Sequence, residues 1–197
     1  LGIAAGGTVM EDCRVLEACR EGKYTSVLVQ THDKKYVEYR TEHFVNALGS
    51  GAGKLCDSMG IDAGLYPVRH QAFITRRLPM LGKHGTNLDM LIDRQDYKGF
   101  SAVYGQQIAY TGQIIGCASP KLDVMRIDKN LKVNTKAFLE IVSEMFSEWI
   151  PDLAGVGIQA VWAGYYTEPR YIVDPELGLF VGMRGHGFML SQYILKN

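Results

Sequence analysis

The chain has 197 residues, 47% of them hydrophobic and 21% charged, with 21 basic residues matching 21 acidic ones. That length suits one to two domains with a real core, and zero formal charge argues against nucleic acid or an anionic membrane surface as the main partner. No apolar run approaches the roughly 20 residues of a membrane span, and Leu1–Gly7 has no basic stretch of the kind that opens a secretion signal. Cys13, Cys19, Cys56 and Cys117 show no CxxC spacing, so reduced thiols and a cytoplasmic location are expected rather than a disulfide framework or zinc site.

The 22 glycines exceed the ordinary share of about 7%. They cluster at Gly49, Gly51 and Gly53, and again at Gly178, Gly182, Gly185 and Gly187. Such clusters mark tight turns or places where a ligand lies against the main chain.

In chain order, Leu1–Ala5 reads as a helix end stopped by Gly6-Gly7. Thr8–Met10, Val15–Cys19, Tyr24–Thr31 and Lys35–Tyr39 read as short antiparallel strands, with β-branched and aromatic residues between turn residues. His43–Leu48 is almost continuously apolar, the pattern of a strand buried on both faces. Gly49–Gly53 and a short helix from Lys54 to Met59 follow it; strand, glycines and helix in that order present backbone N–H groups to an anion. Gln71–Thr75, Leu88–Ile92, Phe100–Tyr104 and Gln113–Cys117 read as further strands, with Lys83-His84-Gly85 among the connections. Asn134 is a candidate N-cap for a helix whose apolar stripe runs over Ala137–Trp149 before Pro151. Gly157–Tyr166 and Leu179–Gly182 read as strands, and Phe188–Leu195 as a closing helix. The five histidines lack metal-ligand spacing, so no metal is expected.

Phe44-Val45-Asn46-Ala47-Leu48-Gly49, followed by a helix and by Tyr66-Pro67-Val68-Arg69-His70-Gln71, resembles the middle of flavin-dependent amine oxidoreductases. In the D-amino-acid oxidase, glycine oxidase and sarcosine oxidase group, a V-N-A-A-G strand precedes a P-V-x-R-x-Q-like stretch. Tyr104, Gln107 and Gly112 resemble strands of sarcosine oxidase beta-type chains, and Trp162-Ala163-Gly164 resembles a W-A-G strand. Gly178–Met189 is similar to the family's glycine-rich G-H-G-F ending. The resemblance runs in order through nearly the whole chain.

The resemblance implies an α+β (α/β) architecture: part of a discontinuous, Rossmann-like FAD domain plus an antiparallel-sheet substrate domain covered by helices. Residues 1–64 and 161–197 would belong to the FAD domain, and residues 65–160 to the substrate domain. The implied reaction takes hydride from the carbon bearing an amine of an amino acid or secondary amine. The cofactor carries the hard chemistry and the protein supplies position and electrostatics.

By the same resemblance, the residues against FAD are Val15, Ala47, Leu48, Gly49, Gly182, Gly185, His186, Gly187, Phe188 and Met189. Arg184 is the candidate anchor for a substrate carboxylate, because a guanidinium pairs a carboxylate through two parallel bonds. Tyr104, Gln107 and Arg69 are candidate pocket residues, and His186 is a candidate base that serves equally well as a capping residue. Tyr104 alternates with apolar neighbours and fits a core position as well as a pocket.

The departures are specific. A strand–GxGxxG–helix does not occur in the 197 residues, so the chain reads as the C-terminal part of a larger flavoenzyme, whether natural or deliberately cut, and alone is expected to hold little FAD. The alternative is a non-catalytic substrate-binding fragment or subunit to which another chain supplies that fingerprint. Family members with T-P-D here have Thr167-Glu168-Pro169 as counterpart, and the carboxylate-binding lysine of sarcosine oxidases corresponds to Met189. Trp162–Tyr166 holds no cysteine, so FAD should be bound non-covalently.

Overall fold

The computed structural model describes residues 3–82, 85, 87–94, 99–120, 131, 133, 135–168 and 171–194. Asn134, Lys83, His84, Pro169 and Leu195 lie outside them. The chain is α+β and divides into two compact units, residues 1–66 with 167–197 and residues 67–166.

In the first unit, β1 (Arg14–Glu21), β2 (Tyr24–Gln30) and β3 (Tyr36–Thr41) form an antiparallel meander. A β-bulge interrupts β1 between Val15 and Glu17. Helix α1 (Ala52–Ser58) has two apolar sides. Leu55 packs with Ala18, Val27 and Val29 of the meander. Ala52 and Cys56 pack with Leu179 and Val181, in a hairpin of β9 (Ile172–Asp174) and β10 (Leu179–Val181). Ser58 Oγ adds a polar clamp: it accepts from the Ala18 N–H at 3.0 Å and donates to the Leu55 carbonyl at 2.8 Å. Helix α3 (Gly187–Ile194) closes the unit.

The second unit is a five-stranded sheet in the order β5-β6-β7-β4-β8. These are β4 (Tyr66–Thr75), β5 (Leu91–Asp93), β6 (Phe100–Gln107), β7 (Ile114–Pro120) and β8 (Ile158–Glu168). Pairing is antiparallel for β4 with β7, β6 with β7 and β5 with β6. Helix α2 (Thr135–Trp149) covers one face, as its three-and-four spacing requires. Phe138, Ile141, Val142, Met145 and Phe146 join Phe73, Val103, Ile114 and Ala118 in one buried cluster. Phe146 meets the Phe73 ring edge-on, with centroids 5.5 Å apart.

Three expectations fail. Thr8–Met10 is not a strand, and Leu88–Ile92 contracts to the three residues of β5. His43–Leu48 is not a strand buried on both faces: only Asn46 is buried, and it makes a single parallel bridge to Leu179 while Val45 and Leu48 are exposed. The hydrophobic run was a poor guide because its one inward side chain is the polar one.

Candidate functional site

Asn46 organises the first unit's candidate surface. Its N–H donates to the Gly178 carbonyl at 2.7 Å, and its carbonyl accepts from the Phe180 N–H at 3.2 Å. The side-chain amide donates to the Ala52 carbonyl at 3.2 Å and to Cys56 Sγ at 3.5 Å, while Oδ1 accepts from the Leu48 N–H at 3.3 Å. Because the bridge to Leu179 is parallel, the chain leaves Asn46 and leaves β10 in the same direction. The ends of parallel strands are where open α/β sheets gather ligands. Ala47, Leu48 and Gly49 follow one side of this bridge and are exposed; Gly182 to Met189 follow the other.

The second of these segments is a left-handed turn. Gly182, Arg184 and Gly185 have φ of 72°, 46° and 80°, and the His186 N–H closes the turn onto the Met183 carbonyl at 2.7 Å. The Leu190 N–H bonds the His186 carbonyl at 3.0 Å as α3 begins. The N–H groups of Gly187, Phe188 and Met189 therefore stand ahead of the helical ladder, where a helix presents donors to negative charge. His186 is exposed at this junction, in the capping position open to it from sequence. Arg184 does not simply reach solvent: its Nε lies 2.7 Å from Glu168 Oε2, with 50% of the Arg184 side chain and 18% of the Glu168 side chain exposed. Glu168 was missed as a partner because it stands sixteen positions before Arg184, across the β9–β10 hairpin.

Val15 lies apart from these turns. It packs on the Leu55 side of α1, whereas β10 packs on the Ala52 and Cys56 side. Gly53 has a packing explanation: a Cβ there would sit 3.0 Å from the Leu65 carbonyl oxygen. Close approach of α1 to that backbone, rather than a phosphate, accounts for the residue.

In the second unit, cross-strand register sorts the candidates by face. Tyr104 pairs with Cys117, and Cys117 pairs with Ala72, so all three point away from α2. Alternation carries that face to His70, whose ring stacks on Tyr166 with centroids 3.8 Å apart and planes 22° apart. The Tyr104 hydroxyl faces Cys117 and Tyr166. Burial pushes the Tyr104 phenol far above its ordinary range, reinforced by Cys117 and Tyr166. Burial likewise raises Cys117, against the opposing influence of the nearby Tyr104 hydroxyl, and raises Tyr166. At neutral pH this cluster offers two neutral hydroxyls and a neutral thiol on the sheet face opposite the helix.

Gln107 and Arg69 do not join them. Gln107 pairs with Ile114, a core residue on the α2 side. Its Oε1 accepts from the Leu88 N–H at 2.7 Å, and its Nε2 donates to Asn87 Oδ1 at 3.3 Å. Arg69 stands four residues from Phe73 in β4, on the helix-facing parity. Tyr104 therefore lies on the sheet face opposite that of Gln107 and Arg69. Among the described residues no His, Cys, Asp and Glu group could hold a metal, and no helix is long and apolar enough to cross a membrane.

The architecture, a three-stranded meander with a parallel closure in one unit and a helix-covered antiparallel sheet in the other, is that of flavin-dependent oxidoreductases. The family model "FAD dependent oxidoreductase" matches residues 2–194, and the chain belongs to this DAO family. A search of curated proteins found no match. Among solved structures, glycine oxidase from Geobacillus kaustophilus is similar at 18% identity and TM-score 0.67, over 98% of this chain and 48% of that one. NikD, an amino acid oxidase of nikkomycin biosynthesis, is similar at 16% identity and TM-score 0.69, over 98% and 51%. Glycerol-3-phosphate dehydrogenase from Bacillus halodurans, complexed with FAD, is similar at 13% identity and TM-score 0.69, over 98% and 40%. The chain thus spans about half the length of these structures or less.

Proposed function

We propose that the protein containing this chain oxidises the C–N bond of an amino acid or secondary amine by hydride transfer to FAD. The observation that carries the reading is the parallel closure at Asn46 and Leu179, which sends two exposed turns in one direction within a chain of this family. The first unit would be the remainder of the FAD domain, completed by an N-terminal strand–GxGxxG–helix segment or a partner subunit. The second would be the substrate domain. Four free cysteines support a cytoplasmic protein.

The residues fit the cofactor at one end. The N–H groups of Gly187, Phe188 and Met189, with the turn from Gly182 to His186, would hold a flavin carbonyl, where negative charge gathers on reduction. Ala47, Leu48 and Gly49 would lie along the same molecule, and Val15 would contribute backbone contacts at a more distant part. FAD, held non-covalently, supplies the hydride acceptor. Arg184, in the first unit, would hold a substrate carboxylate. In the second unit, Tyr104 and Tyr166 would offer neutral hydroxyls to substrate. With hydride accepted by the bound flavin, the substrate C–N bond would become an iminium that loses a proton where one is present on nitrogen, and water would hydrolyse it to a carbonyl compound and ammonia or an amine.

The test is anaerobic mixing of the full-length, FAD-loaded protein with glycine, N-methylglycine, iminodiacetate, larger amino acids and glycerol 3-phosphate, following the loss of oxidised-flavin absorbance. Reduction by an amine or amino acid supports the reading. Reduction by glycerol 3-phosphate alone would overturn it in favour of C–O oxidation, the chemistry named for the Bacillus halodurans neighbour.

A further inference from the structure

We infer that Glu168 is a positioning residue that sets the aim of the Arg184 guanidinium; the inference rests on the proposed role of Arg184 as carboxylate anchor. The Nε–Oε2 distance of 2.7 Å is that of a close ion pair. The two partners are unequally covered, with 18% of the Glu168 side chain exposed and 50% of the Arg184 side chain. The cation, not the carboxylate, therefore keeps surface for a ligand.

Arg184 also sits at φ 46° between glycines at 72° and 80°, a left-handed backbone that is costly for a side-chain-bearing residue. Its Cα is thus placed by the turn, and its far end is held by a residue from the end of β8. A guanidinium has five N–H donors in a rigid fork. Engaging it through Nε leaves the Nη edge as the side that meets a carboxylate in two parallel bonds. Without Glu168, a long side chain on an exposed turn would have to be ordered by each ligand it binds.

The experiment is calorimetric titration of the full-length, flavin-loaded protein with phenylacetate and with phenylacetamide, which matches it closely in shape without the charge. The unsubstituted protein should prefer phenylacetate. Glu168→Ala should weaken phenylacetate binding about ten-fold or more and leave phenylacetamide unchanged. Glu168→Asp, which keeps the negative charge on a side chain one methylene shorter, should recover part of the loss, and Glu168→Gln, which removes the charge, should recover less. Unchanged or tighter phenylacetate binding in Glu168→Ala would overturn the inference; tighter binding would mean that Glu168 competes with the ligand. Equal weakening of both probes would overturn it as well, by showing a general structural effect. Arg184→Ala separates the two levels. If it leaves the charge preference intact, or if no preference exists to begin with, the anchor itself is refuted. If it abolishes the preference while Glu168→Ala does not, only the positioning role fails.

Discussion

Replacing Asn46 by alanine should loosen the junction between α1 and β10 far more than a surface asparagine would. The side chain is 1% exposed and makes two bonds to N or O at 3.2 and 3.3 Å and one to sulfur at 3.5 Å. Two ordinary hydrogen bonds contribute about 1 kcal/mol each, and the groups left unpaired add to that. A small cavity contributes on the order of another 1 kcal/mol. The expected total is roughly 2–4 kcal/mol, a loss of about 30- to 900-fold in local protection at 1.36 kcal/mol per decade. Hydrogen exchange read by mass spectrometry on peptides covering 52–58 and 178–181 measures it. Asn46→Asp should be worse near neutral pH, since a carboxylate oxygen would replace the donor facing the Ala52 carbonyl. Burial and that neighbour would raise the introduced carboxyl's folded pKa, so its penalty should shrink as pH falls and the acid protonates. A loss below about 0.5 kcal/mol in the alanine variant, the size of an ordinary surface change, would refute this account of Asn46.

Gly178→Ala should destabilise the first unit by about 2 kcal/mol or more, because φ is +65° and the new Cβ would collide with the Phe44 carbonyl oxygen; urea unfolding followed by circular dichroism checks it. Tyr104 and Tyr166 should titrate after the exposed tyrosines in an alkaline absorbance titration, given the upward direction of both. Since the unfolded chain releases those phenolic protons first, near pH 10, stability should fall as pH rises beyond that value. The purified 197-residue chain should carry little FAD, because its sequence holds no GxGxxG run to seat the pyrophosphate. Acid precipitation of the full-length protein should release its flavin into the supernatant, whereas flavin retained in the pellet would show a covalent link.

Periodicity carried some elements and failed others for identifiable reasons. The α2 stripe was legible because Phe138, Ile141, Val142, Met145 and Phe146 all turn inward; no other arrangement of that run buries them together. In β6, Tyr104 and Gln107 are three residues apart, so they lie on opposite faces of the strand. The register with β7 was needed to see it. The apolar run around Asn46 suggested a strand, whereas the structure rests on one polar side chain and one bridge. The contact between Arg184 and Glu168 is closed by tertiary structure, which no local pattern encodes.

The short edge strand β5 has a consequence for the protein in concentrated solution. Asp93 turns toward α2, where Oδ2 accepts from the Trp149 indole N–H at 2.8 Å. A foreign strand adding at this edge would find a ladder of only three residues, Leu91 to Asp93, beside a carboxylate pinned inward. Short edge strands and inward charges deny such a visitor the hydrogen bonds needed to stay. The bond from Trp149 thus helps guard one side of the sheet against open-ended assembly, and Trp149→Phe, which removes that bond without emptying the core, should weaken the guard and raise self-association.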